Sequence, residues 1–339
     1  QVQPLIAKTI LPTFGGGAAV WTTCMLFFQG LLLLGYCYAH GLSKLPKLKQ
    51  QLVVHATLLI ASVALLGADL TFFDTTSITS NTGDNATNPT YAIVLILLSS
   101  IGVPYFMLSA TGPLIQHWFS LTEQKLPYKL YALSNTGSLL ALISYPFIFE
   151  PLFSLSTQNS YWLGAYVCFV AAYLWLMFSI AKKMKGHSEK QPLQVKASTQ
   201  SLSIINITLW LMLAMVGVVL LVSTTNAMTQ NIPPVPFLWI LPLALYLTTF
   251  IIAFHSPKWY VRWYWFAFFI LSAFVAMMMF FIGTQFEIVS QVLIYSFILF
   301  SACMICHGEL AKLAPNASQL TLYYLVISLG GFLGSVFVT

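Results

Sequence analysis

The string Cys303-Met304-Ile305-Cys306-His307 has the C-x-x-C-H spacing of covalent haem attachment. Two thiols one turn apart would bond the porphyrin, and the imidazole beside them would ligate its iron. The bland alternative is packing: free cysteine behaves as a small hydrophobe, and the string runs into a polar helix end at Glu309. Six histidines, His40, His55, His117, His187, His255 and His307, offer further ligands for haem, pigment or metal. None is followed by a second ligand three or four residues on, so an amphipathic residue at a membrane interface is the competing reading for each. No H-E-x-x-H, nucleotide-binding lysine loop or dinucleotide glycine pattern occurs. Gly15-Gly16-Gly17 has no strand before it and reads as a close-packed start to a helix. No catalytic residue, metal site or cofactor is assigned.

Polar side chains within apolar runs are the second group able to do chemistry, because each is costly in lipid. Gln29 lies in the middle of one run, Ser134, Asn135, Thr136 and Ser138 form a polar turn in another, and Asn226 and Gln230 close a third. Ser99 and Ser100 stand before a Gly102/Pro104 break. Gln29, Ser134, Asn135, Ser138 and Asn226 are the candidates for lining a substrate cavity. His40, His117, His307 and Glu309 are candidate ligands or interfacial residues. The alternative for the polar set is interhelical hydrogen bonds of about 1 kcal/mol each. The acids Asp69, Glu150, Glu287 and Glu309 fall at the ends of the runs, which weighs against a proton-driven pump.

The elements that must position these residues follow from composition. Of 339 residues, 58% are hydrophobic and 6% charged, too few charges to cover a soluble domain, so lipid must solvate much of the chain. Ten runs are long enough to span a membrane: 17–40, 52–69, 91–117, 128–149, 160–181, 203–225, 235–254, 260–282, 287–308 and 319–339. Pro104 and Pro113 are expected to kink the third, and Pro146 to end the fourth. Thr71–Thr90 reads as an exposed polar loop and Lys182–Ser201 as a disordered linker.

Thirteen of the 14 Lys and Arg residues fall in loops on one side, with only Lys8 opposite. The basic charge therefore marks topology rather than a nucleic-acid face, and the positive-inside rule makes that side cytoplasmic, in a bacterial inner membrane. Trp21, Tyr161, Trp162, Trp239, Trp259, Trp263 and Trp265 lie near the ends of runs, as an aromatic belt would. The five cysteines lie in apolar runs and imply no disulfide framework.

Tyr131-Ala-Leu-Ser-Asn-Thr-Gly137-Ser-Leu-Leu-Ala141 aligns without a gap on Tyr324-Leu-Val-Ile-Ser-Leu-Gly330-Gly-Phe-Leu-Gly334. The copies are six runs apart, and an even offset makes the repeat parallel. Gly137/Ala141 and Gly330/Gly334 each form a small-x-x-x-small face suited to close helix contact. With Gln1–Leu11 read as the tail of an earlier span, the expected architecture is an all-α polytopic bundle. It has about ten spans on a major-facilitator-like 6+6 pseudo-repeat, truncated at both ends. Residues 1–181 form one half, 182–202 the linker and 203–339 the other half.

Several strings together carry a family likeness. They are Gln3-Pro4 to Lys8, Leu11-Pro12-Thr-Phe-Gly15-Gly-Gly, Phe27-Phe28-Gln29 and Gly35-Tyr36-Cys-Tyr38-Ala-His40, then Gly112-Pro113-Leu-Ile-Gln116-His-Trp118-Phe119, Leu130-Tyr131 to Ser138, Pro233 to Tyr246, Cys306-His307-Gly308-Glu309-Leu310-Ala311, and Leu320 to Gly331. In order along nearly the whole chain, they resemble the membrane domain of fused major-facilitator/spermidine-synthase-like proteins. The resemblance implies a helical membrane domain followed, in longer forms, by an aminopropyltransferase-like domain that is absent here. It also makes Cys303 incidental to the motif, which weakens the haem reading. Gly41-Leu-Ser-Lys44 departs from the facilitator signature by lacking its Asp. Three functions are in contention: a carrier for polyamines or other small metabolites, a non-transporting anchor or subunit of a larger complex, and a haem- or pigment-binding electron-transfer subunit. The expected partners are the bilayer and other membrane subunits or a C-terminal soluble domain.

Overall fold

The computed structural model describes residues 2–14, 18–68, 89–123, 128–187, 203–229, 236–282 and 287–338. Among these the chain forms helices and turns without a strand. The helices are α1 (Val2–Phe14), α2 (Ala18–Ser43), α3 (Leu48–Ala68), α4 (Pro89–Leu97), α5 (Val103–Glu123) and α6 (Tyr128–Ser144). They continue with α7 (Leu155–His187), α8 (Ile204–Thr229), α9 (Pro236–His255), α10 (Arg262–Ile282), α11 (Ile288–Lys312) and α12 (Leu320–Val338). Among the described residues nine segments are long and apolar enough to cross a membrane, and α9 supplies a shorter apolar helix over Ile240–His255. The chain is an all-α, multi-pass helical bundle. Most of the loop Thr71–Thr90, the linker Lys182–Ser201, the run Gly15–Gly17 and Gln230 lie outside the described residues.

The proline breaks differ in form from the expectation. α4 and α5 join through a π-helical turn, Leu98–Gly102, immediately before Pro104. The hydroxyls of Ser99 and Ser100 both donate to the Ile96 carbonyl, at 3.0 and 2.6 Å. Those two serines are thereby spent on the backbone. Pro146 does not end its helix, as the sequence suggested. A second π turn, Tyr145–Phe149, accommodates the ring, and α6 runs on through Glu150–Leu152. The helix can continue because widening the turn by one residue moves the carbonyl that the ring would strike.

The lipid-facing shell is apolar: Trp175, Trp263, Phe178 and Phe281 are each about 70% exposed or more. Inside, α2 packs along α5 and α12, α6 along α9, and α8 along both α11 and α12. Loops with Lys44, Lys129, Lys258, Arg262 and Lys312 gather at one end, called here the basic end. Contacts that hold it include the Tyr128 hydroxyl on the Pro315 carbonyl and the Arg262–Glu309 ion pair. Trp118 donates its indole N–H to Gln51 at 2.9 Å, and Gln51 in turn caps the Leu45 carbonyl at 2.9 Å, fixing the turn between α2 and α3. Among the described residues Lys8 stands toward the other end, paired with Glu150 at 2.9 Å.

Candidate functional site

Along the seam where α2 meets α12 and α6 meets α9, the side chains form layers. At the basic end, His40 Nδ1 lies 3.0 Å from the Thr321 hydroxyl, and Ser43 Oγ lies 3.2 Å from the same oxygen. These bonds tie α2 to α12. The Tyr324 hydroxyl donates to Gln116 Oε1 and ties α12 to α5.

Above that polar layer is an aromatic one. Tyr131 and Tyr324 stack with centroids 5.1 Å apart. Tyr36 meets Tyr324 edge-on at 6.4 Å, and Phe250 meets Tyr131 edge-on at 5.8 Å. Phe254 packs against Tyr131 at 4.9 Å. Rings in edge-to-face and stacked pairs contribute about 0.5–1.5 kcal/mol each beyond burial.

Farther from the basic end the seam turns toward α8. A cavity of about 10 Å³, room for one water, is lined by Thr22, Met25, Leu221, Val222, Thr225, Asn226 and Leu243. Thr22 and Asn226 face it from α2 and α8. Gln29 lies one turn along α2 from Met25: its Oε1 would stand 3.5 Å from a Cβ on Gly331, as would the side chain of Val218, one turn along α8 from Val222. Two of the five expected cavity residues, Gln29 and Asn226, therefore share the α2–α8 seam. The other three do not reach it. Ser134 and Ser138 are exposed, with the Ser138 hydroxyl on the Ser134 carbonyl at 3.2 Å. Asn135 donates to the Tyr131 carbonyl of its own helix at 2.9 Å.

The C-x-x-C-H string is packed into the protein. Cys303 and Cys306 are buried free thiols, and His307 is fully buried. The imidazole is covered on one face by Phe250, centroids 3.6 Å apart, and met edge-on by Tyr246 at 4.7 Å. Its Nδ1 is 2.9 Å from the Thr249 hydroxyl, while Nε2 is buried without a partner beside Gly217. Phe250 and Gly217 occupy the volume that a porphyrin would need, so these residues do not fit a haem. Among the described residues no three His, Cys, Asp or Glu side chains gather as a metal site.

His55 and His117 also differ from simple interfacial residues. His55 is fully buried in α3, its Nδ1 3.2 Å from the Tyr38 hydroxyl. His117 has a buried Nε2 with no partner, and His255 is exposed.

Glu309 sits in a charge cluster at the basic end. Arg262 contacts both of its oxygens, with Nε on Oε1 at 2.8 Å, and the Tyr260 hydroxyl donates to Oε1 at 2.6 Å. Lys312 stands over the Tyr260 ring at 4.5 Å. That ring lies against Gly308, where any Cβ would collide with it. Burial, and secondarily the Glu309 carboxylate, hold the Tyr260 phenol above its ordinary range. Leu310 is buried, and its carbonyl accepts from Tyr323 at 2.7 Å. Every residue of Cys306-His307-Gly308-Glu309-Leu310 thus has a packing or bonding role.

Sequence reasoning missed Thr22, Thr225, Thr249 and Thr321. Threonine is only mildly polar, and in a helix its hydroxyl usually bonds the preceding turn, as Thr225 does with Leu221 at 2.7 Å. The repeat did hold the signal for Tyr131 and Tyr324, since it pairs them. In comparisons with known proteins, no family model, curated protein or solved structure matches the chain.

Proposed function

We propose that the chain is a carrier-like membrane domain of the fused major-facilitator/spermidine-synthase-like type, handling polyamines or other small metabolites. The observation that carries this reading is a crosswise symmetry. The six-span repeat relates α2 to α9 and α6 to α12, and the two seams are α2 on α12 and α6 on α9. Each seam is the repeat image of the other, so the halves 1–181 and 203–339 meet about a pseudo-twofold axis. A carrier needs two bodies able to rock against each other across such an interface. The hydrogen bonds and rings at the basic end act as the closed gate, and the α2–α8 seam with Gln29 and Asn226 is the binding locus.

Uptake into liposomes tests it, with radiolabelled spermidine and a panel of small metabolites. Uptake above protein-free vesicles, reduced several-fold by Asn226→Leu, is expected. No uptake of any compound would sink the carrier reading.

A second reading, a non-transporting anchor within a larger membrane assembly, is favoured by the packed aromatic layer and the water-sized cavity. It predicts the null result in liposomes together with an unchanged thermal midpoint on adding any of the compounds.

The orientation belongs to the same proposal: basic loops in the cytoplasm of a bacterial cell, following the positive-inside rule. Reporter fusions at Lys190 and Asp84 check it. Phosphatase activity at Lys190 and none at Asp84 would reverse the topology.

A further inference from the structure

We propose that the seam between α2, α8 and α12 takes an uncharged solute carrying a carboxamide or lactam group, bound through the side-chain amides of Gln29 and Asn226. Such a site rests on the carrier reading and, within its range of substrates, favours neutral amides over polyamines.

Most polar side chains in the spanning helices are spent on the protein itself. Ser99, Ser100, Asn135, Thr136 and Ser138 each bond a carbonyl of the preceding turn. Gln116 accepts from Tyr324. Gln29 and Asn226 differ: among the described residues neither side-chain amide has a hydrogen-bond partner. The Ser328 hydroxyl of α12 is buried without one as well. A polar group in a spanning segment is costly unless something bonds it.

These three groups face one seam. Gln29 Oε1 and the Val218 side chain would each stand 3.5 Å from a Cβ on Gly331. Ser328 lies three residues before Gly331, on the same face of α12. Asn226 lines the cavity with Thr22 and Thr225. The eight-residue step from Val218 to Asn226 sets the two amides about 12 Å apart along the seam. A solute coming from the end opposite the basic one therefore meets Asn226 first and Gln29 deeper in. Because α2 belongs to one half and α8 and α12 to the other, parting of the halves widens a cavity that now admits one water.

The chemistry of the lining selects the solute. None of the side chains lining the cavity is ionisable. A polyamine ammonium would lose its water there with no carboxylate to replace it. It also has only donors, so it could use the amide carbonyls but would face the amide N–H groups unpaired. A carboxylate fails in the opposite sense, having only acceptors. A carboxamide or lactam has both, and it can close two N–H···O bonds with one side-chain amide without bringing in charge.

The test measures binding to the full chain in detergent, with tritiated nicotinamide and tritiated uracil as probes and unlabelled spermidine and succinate as competitors. Saturable binding of at least one probe, undiminished by an excess of either competitor, is expected. Gln29→Leu and Asn226→Leu should each weaken it about tenfold. Their thermal midpoints should be no lower than that of the unaltered chain, since neither amide bonds the protein. Asn226→Asp should trade the amide probes for spermidine, because a carboxylate supplies the countercharge. No saturable binding of either probe, its displacement by spermidine, or full binding by both leucine variants would overturn the proposal. Uptake into liposomes is read separately. Amide binding without uptake supports this site and sinks the carrier, whereas spermidine uptake without amide binding sinks this site and leaves the carrier.

Discussion

Tyr131 and Tyr324 stand at equivalent positions of the internal repeat, and their rings lie face to face, 5.1 Å apart with planes 20° apart. Residues related by a twofold axis touch one another only where they lie on it. In the proposed arrangement of two halves, the stack would mark where the pseudo-axis passes, on the basic side of the bundle. The edge-on partners obey the same relation: Tyr36 of α2 meets Tyr324, and Phe250 of α9 meets Tyr131.

If this stack holds the two seams together, removing either ring loosens both. Tyr131→Ala, Tyr324→Ala and the double variant form a cycle, read by thermal unfolding in detergent. A coupling of about 0.5–1.5 kcal/mol is expected. Strict additivity would mean that the rings pack side by side without interacting.

The two glycine faces should respond in opposite ways. Gly334→Leu drives a side chain into the α8 backbone and is expected to cost about 1–3 kcal/mol or to prevent folding. Gly137→Ala should leave the midpoint within experimental error. Similar losses at both positions would contradict the open face on α6.

In the cluster around Glu309, packing should outweigh charge. Tyr260 is 4% exposed, and Tyr260→Ala is expected to cost about 3–5 kcal/mol. Arg262 is exposed, so Arg262→Ala should shift the midpoint less than Tyr260→Ala does. Because the Tyr260 phenol is raised in the folded chain, the unfolded chain loses that proton first. The contribution is whole below the ordinary value of 10.0 and falls as pH rises above it. Tyr260→Phe should flatten that part of the stability profile between pH 9 and 11, which calorimetry would follow.

Thr321 receives contacts from both His40 and Ser43, so Thr321→Val removes the polar tie between α2 and α12 with little change in shape. A loss of about 1 kcal/mol is expected. In the same background, a cysteine introduced by Asn226→Cys should be alkylated faster by reagent added at the basic end. An unchanged rate would place the closure in the aromatic layer alone.

Much of the arrangement was legible in the chain. Apolar runs of spanning length, separated by charged loops, read directly as helices in lipid, because there the backbone must bond within each segment. The repeat was inferred because Tyr131 and Tyr324 head similar strings. The fate of individual polar residues was not. Ser99, Ser100, Asn135 and Ser138 looked like a possible lining, but each bonds a carbonyl in its own helix. A side chain able to satisfy itself on the preceding turn gives no sign of which way it faces.

The C-x-x-C-H string shows the same division. Its spacing by itself allowed both haem chemistry and packing. Only the fold decided, by laying Phe250 on the imidazole and Gly217 beside Nε2. What the sequence determined alone was the solvent, the helices and their alternation, since these depend on composition and local bonding. What the tertiary structure decided was which equal-looking faces meet: the glycine face of α12 is filled by α8, while among the described residues nothing lies against Gly137 of its twin on α6. That difference depends on neighbours more than a hundred residues away, and no local pattern encodes them.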